Sequence, residues 1–177
     1  MRPQIIFTMK KLIPLLFAGL LFGQTMKLAA QPAPAPMPPE ARQFDFWLGE
    51  WEVFGPDGAL GGHSRIESVA GGHALLENWS DADGTSGKSL NIYNPDKKLW
   101  QQFWVGATSP VLELSGGLQG GSMVLSGTRT SVHGGTVTDR ITWTPRADGS
   151  VRQLWETSKD DGKTWQVNFD GIYKPKK

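Results

Sequence analysis

From residue 50 onward, apolar and polar side chains alternate with a period of two, in short runs broken by glycine and aspartate. Successive side chains on a strand point to opposite faces, so this rhythm predicts antiparallel strands rather than helices. Ten strands are expected, near Glu50–Phe54, His63–Ala70, His73–Ser80, Lys88–Asn94, Leu99–Gly106, Val111–Ser115, Ser122–Thr130, Thr136–Thr144, Val151–Ser158 and Trp165–Tyr173. Turn formers connect them: Gly55-Pro56-Asp57-Gly58, Gly71-Gly72, Asn94-Pro95-Asp96, Gly116-Gly117 through Gly120-Gly121, His133-Gly134-Gly135 and Ala147-Asp148-Gly149. Ahead of them, Glu40 to Leu48 has room for one or two helical turns starting after Pro39. The stretch Phe44-Asp45-Phe46-Trp47-Leu48-Gly49-Glu50-Trp51 therefore runs an aromatic plug straight into the first strand. Sequential hairpins without a long crossover favour an all-β, antiparallel up-and-down barrel over a Greek-key sandwich. Closure also removes the free edges that invite aggregation.

The alternation sorts the strands into two sets of side chains. One is largely aliphatic: Leu90 and Ile92, Phe103 and Val105, Leu112 and Leu114, Met123 and Leu125. The other mixes aromatic and polar groups: Glu77 and Trp79, Asn91 and Tyr93, Trp100, Gln102 and Trp104, Glu113, Arg140 and Thr142. Parity across hairpins depends on bulges, so two arrangements compete. Either the aromatic-polar set lines a lumen suited to a small ligand, or the aliphatic set fills the barrel and the polar set faces out.

The N-terminus changes the charge picture. Arg2, Lys10 and Lys11 precede an apolar run from Leu12 to Gly23, and Ala29 and Ala30 follow, the layout of a secretory signal peptide over residues 1–30. The apolar run is short for a bilayer and Pro14 interrupts it, so no stable membrane span is expected after cleavage. Met1 and Met9 are alternative starts. Residues 31–39 form a proline-rich linker, and residues 40–177 the barrel domain. Four of the 18 basic residues fall in the first 30, which hold no acid, so the remainder carries 14 basic against 17 acidic residues. A net charge of −3 there removes the support for nucleic-acid binding. With no cysteine, an exported chain has no disulfides, and eight tryptophans must supply the core.

Candidate chemistry is sparse. His63, His73 and His133 all sit at or beside glycine-rich turns without metal-ligand spacing, so no metal or other cofactor is expected. There is no G-x-S-x-G elbow. Glu77, Glu113 and Glu156 form a carboxylate set for acid–base work if they meet across a lumen, whereas Glu156 with Arg140 makes a plain ion pair.

Three resemblances add to this reading. Ser158-Lys159-Asp160-Asp161-Gly162-Lys163-Thr164-Trp165 resembles the Asp-box of sialidases, a hairpin device in which Asp160 accepts turn amides, Gly162 takes positive φ and Trp165 packs back. One copy carries no chemistry. Gly49-Glu50-Trp51 resembles the G-x-W entry of lipocalins and fatty-acid-binding proteins, which implies that Trp51 closes the barrel under a late-strand arginine, Arg140 or Arg152. Trp47 and Trp51 are thus expected to be structural, as are Asp160, Gly162 and Trp165. The wider pattern resembles a family of bacterial exported proteins of unknown function, the DUF1579 family. Phe44 to Trp51, Leu76-Glu77-Asn78-Trp79, Ser89-Leu90-Asn91-Ile92-Tyr93, Trp100 to Val105 and the closing Trp165 to Tyr173 carry that likeness. It implies an exported lipocalin-like (calycin-like) barrel, placed in the periplasm or outside the cell, and it brings no established activity from which a catalytic residue could be carried over. Haem barrels of the nitrobindin type use a late-strand histidine, and the last two strands here have none.

The leading expectation is a non-enzymatic barrel that binds a small, apolar or amphipathic molecule. Trp79, Tyr93, Trp100 and Trp104 would be its walls, with Glu77, Asn91, Gln102 and Arg140 as polar anchors. A barrel isomerase or hydrolase using lumen carboxylates, and a solid barrel acting through its surface in the cell envelope, are the alternatives.

Overall fold

The computed structural model describes residues 37–177; the expected signal peptide and most of the proline-rich stretch lie outside the described residues. Two short 3₁₀ turns, Pro39–Arg42 and Asp45–Trp47, lead into ten strands. These are β1 (Gly49–Phe54), β2 (Leu60–Val69), β3 (Ala74–Asp81), β4 (Ser86–Asn94), β5 (Leu99–Gly106), β6 (Leu112–Gln119), β7 (Ser122–Thr130), β8 (Thr136–Pro145), β9 (Val151–Ser158) and β10 (Gln166–Pro175). Each pairs antiparallel with its sequence neighbours, and β1 also pairs with β10 from Trp51↔Pro175 to Phe54↔Ile172. The result is a closed up-and-down barrel with no free edge strand, as the hairpin rhythm predicts.

One glycine cluster behaves differently from expectation. Gly116 and Gly117 lie inside β6, and only Gly120-Gly121 form the turn, both with positive φ. A Cβ on Gly116 would come within 2.1 Å of the Val124 carbonyl oxygen, and one on Gly127 within 2.0 Å of that of Glu113. These glycines serve close backbone approach between β6 and its neighbour, not a reversal of the chain.

Burial also settles which face points inward, and the two sets are mixed. Along β4 and β5, Ser89, Asn91, Trp100 and Gln102 are buried, while Leu90, Ile92, Phe103 and Val105 are exposed on the outside. Along β6 and β7 the aliphatic Leu112, Leu114, Met123 and Leu125 are the buried ones. The barrel interior is therefore polar and aromatic on one side and aliphatic on the other.

The 3₁₀ turns close one end. Phe44 is fully buried, stacks on Trp47 at 5.0 Å, and meets Trp100 and Trp143 edge-on at 5.6 and 5.0 Å. Two indoles stitch the cap to the wall: Trp51 Nε1 donates to the Trp47 carbonyl (3.0 Å) and Trp100 Nε1 to that of Glu40 (3.2 Å). Trp51 packs against Tyr173, at 6.3 Å between rings, and not beneath an arginine. Arg152 is instead held in a two-pronged pair with Asp170 (2.8 and 2.7 Å), and Arg140 lies over Trp165. The expected cation–π contact with Trp51 is replaced by an aromatic one, because both arginines fall on the outer face of their strands.

Candidate functional site

At the end opposite the cap, the lumen is open. Here Thr85 of the β3–β4 turn, Ser86 at the start of β4 and the β5–β6 loop (Ala107, Thr108, Ser109) rim a cavity of about 440 Å³. Its walls are aromatic: Trp79 of β3, Trp104 of β5, Trp155 of β9 and Phe169 of β10. Its deeper lining comprises Glu77, Gln102, Leu112, Ile141, Gln153 and Tyr173.

Glycines on the strands seat these rings. The Trp104 indole lies across Gly87, where a Cβ would approach it to 2.3 Å, and its Nε1 donates to Ser109 Oγ at 2.8 Å. Gly62 leaves room for Trp79, and Gly171 for Phe169. Trp155 Nε1 donates to Asp139 Oδ1 (2.8 Å), a carboxylate that also accepts from Thr157 Oγ1 (2.5 Å) and pairs with Arg129 Nε (2.7 Å). The rings are thus oriented before any ligand arrives, which lowers the entropy lost on binding.

A polar network runs across the inner face of β2 to β5. Gln102 Nε2 donates to Asn91 Oδ1 (2.8 Å), and Asn91 Nδ2 donates to the Leu75 carbonyl (3.3 Å) and Ser89 Oγ (2.9 Å). Ser89 and Ser64 then donate to the two Glu77 oxygens, at 2.8 and 3.3 Å, and the Tyr173 hydroxyl lies against the same carboxylate. Burial pushes the Glu77 carboxyl up from its ordinary 4.5 to about 7, against the lowering effect of these hydroxyls. Burial and the neighbouring Glu77 carboxylate likewise hold the Tyr173 hydroxyl well above its usual range.

Of the eight lumen residues expected from the sequence, Glu77, Trp79, Gln102 and Trp104 line the cavity. Asn91 lies behind Gln102 as part of the network, with no exposure. Trp100 and Tyr93 pack on each other at 6.0 Å beside the cap, so they belong to the closed end rather than the open one. Arg140 is not in the lumen: on the outer face it pairs with Glu156 (2.9 Å) and covers Trp165 at 3.8 Å. Glu113 is exposed and Glu156 faces out beside Arg140, so the three carboxylates Glu77, Glu113 and Glu156 do not meet across the lumen. The physical reason is parity. Ile141 and Trp143 are the inward residues of β8, which turns Arg140 and its cross-strand partner Glu156 outward.

Trp155, Gln153, Phe169 and Tyr173 were missed. Strict alternation in β9 from an outward Glu156 would have found Trp155 and Gln153. In β10 a bulge between Val167 and Phe169 breaks the alternation.

The other candidates lie on the periphery. His63, His73 and His133 are exposed, on β2, the β2–β3 turn and the β7–β8 turn respectively. Among the described residues no group of three or more His, Asp or Glu side chains is placed to hold a metal. The Ser158–Trp165 turn sits on the open rim. Asp160 accepts from the Thr164 amide (2.8 Å) and hydroxyl (2.6 Å) and from Ser158 Oγ (2.8 Å). Those bonds, Thr164 first, hold its carboxyl down at about 2. Gly162 adopts φ +85°, and Trp165 Nε1 donates back to its carbonyl at 3.0 Å. No protein-family model matches this chain, and no curated protein matches it in sequence.

Proposed function

We propose that this protein is an exported, non-catalytic barrel, a member of the DUF1579 family, that carries or senses a small, partly apolar molecule in its open half. The cavity carries this reading: its volume suits a small ligand, and aromatic walls with a few convergent polar groups are the usual composition of such sites. Glu77, Glu113 and Glu156, the carboxylates on which the enzymatic alternative rested, are not brought together, which favours the binding reading over it. The basic and apolar layout of residues 1–30 supports export.

Native mass spectrometry of the protein purified gently from its own host tests the reading directly. A co-purifying small molecule is expected, and it should be absent from the double variant Trp104→Ala, Gln102→Ala, whose circular dichroism remains that of a β-barrel. Retention of the molecule by that variant would remove the lumen assignment. The exposed row formed by Leu90, Phe103 and Val105 on the outer face favours a second reading, a protein-contact surface, if no small molecule is found.

A further inference from the structure

The cavity is selective in its charge. Among the described residues, Glu77 and Asp81 are the charged side chains in its lining, and both are acidic. Arg129 is drawn to Asp139 instead and does not line the cavity. The uncharged groups point the same way. Asn91 must present its Nδ2 to the Leu75 carbonyl, because a backbone carbonyl only accepts. That leaves Asn91 Oδ1 facing Gln102, so Gln102 in turn must present its Nε2 there. The atom left over is Gln102 Oε1, a buried acceptor with no hydrogen-bond partner, in a side chain 2% exposed. A buried acceptor in this condition is costly unless a donor reaches it. Meanwhile the Nε1–H groups of Trp104 and Trp155 are already engaged, by Ser109 and Asp139. Gln153, whose Oε1 accepts from Trp143, contributes a neutral amide donor to the wall.

We infer that the cavity takes a cation: a small ammonium-bearing molecule with an apolar or aromatic body, its head at Glu77 and Gln102 Oε1 and its body against Trp79, Trp104, Trp155 and Phe169. This rests on the lumen-binding reading and narrows it. An ammonium has only donors, which matches the Glu77 carboxylate and the unpartnered Gln102 oxygen, and aromatic faces attract cations through their quadrupoles. A fatty-acid carboxylate would meet Glu77, Asp81 and an unpartnered carbonyl oxygen, with no arginine or lysine among the described lining residues to receive it. The raised Glu77 carboxyl fits the same picture, since it is buried with no cation beside it, and a bound ammonium would draw it back to the ionised form.

The test uses the full-chain protein and a neutral fluorescent probe, N-phenyl-1-naphthylamine, displaced at fixed salt by three matched compounds: 2-(1-naphthyl)ethylamine, 2-(1-naphthyl)ethanol and 1-naphthylacetate. The amine is expected to bind at least roughly tenfold tighter than the alcohol, with the carboxylate weakest. Glu77→Gln should erase the advantage of the amine and leave the alcohol unchanged. Gln102→Leu, which removes the unpartnered oxygen, should reduce amine binding in the same direction. Probe binding with an equal or stronger carboxylate, or with amine and alcohol alike, overturns the cation preference while leaving lumen binding intact. A probe that does not bind, or binds Trp104→Ala as well as the wild type, overturns the lumen reading and the cation preference with it.

Discussion

The two ends of this barrel are built on the same strands and differ in what fills them. At the closed end Phe44, Trp47, Trp100, Trp143 and Tyr173 leave almost no exposure, and the main chain before β1 supplies the plug. At the open end no segment of the described residues enters, glycines leave room for the rings against the wall, and a cavity of about 440 Å³ remains. Aromatic side chains dominate both halves, so aromatic content alone does not distinguish a core from a binding site. What separates them is how the rings are backed. At the closed end Phe44 and Trp47 pack among four further rings, whereas at the open end each wall ring rests on a glycine or a buried polar group and only Trp79 and Phe169 also meet each other, edge-on at 5.8 Å.

The sharpest way to break the closed half is Trp47→Ala. Emptying a fully buried indole site should cost on the order of 3–5 kcal/mol, read as a lower denaturant midpoint, with no specific change in ligand affinity of the folded fraction. A loss of affinity at unchanged stability would mean that the two halves are not separable.

Next in size is the pH dependence set by Glu77 at the boundary between them. Its folded carboxyl stands near 7 against an ordinary 4.5, so between those values the folded state holds a proton that the unfolded chain has released. Stability from this group is complete below about pH 4.5 and falls as pH rises to 7, by on the order of 3 kcal/mol from the size of the shift. The hydroxyls of Ser64 (β2), Ser89 (β4) and Tyr173 (β10) face it, and the nearest formal charge along its own strand is Asp81. Glu77→Gln should therefore gain stability relative to wild type at pH 8 and little at pH 5, checked by urea melts at both. Asp160, Asp148 and Asp170 act oppositely, because their lowered carboxyls withdraw stability only as pH falls below about 4.

Gly87→Ala sharpens the contrast at the open end. A methyl 2.3 Å from the Trp104 ring must displace it, at a cost of about 1–3 kcal/mol. Ligand binding should fall more than stability does, and the tryptophan emission should shift. The smallest effect is expected from Arg140→Ala. Its pair with Glu156 is partly exposed, so the loss should be no more than about 1 kcal/mol, and calorimetric affinity for a lumen ligand should stay as it was.

Much of this barrel was legible in the chain. The period-two runs and their turn residues place ten strands to within a few residues at most boundaries, and Phe44 to Trp51 announces the cap. Glu77, Trp79, Gln102 and Trp104 were legible as cavity-lining residues because polar groups between aromatic ones on one strand face seldom belong to a plain core. Arg140 was misplaced and Trp155 and Phe169 were missed for one reason. Alternation says which residues share a face and not which face is inside, and the β10 bulge resets even that relation.

The sequence by itself determined the class of fold, the number of strands and the aromatic cap, because these depend on local periodicity and turn chemistry. Only the tertiary structure decided which faces point inward, which end is open and that Gln102 Oε1 in the lumen is left without a donor. Those follow from barrel closure, which brings together side chains as far apart as Ser64, Glu77 and Tyr173 and so lies beyond any pattern in neighbouring residues.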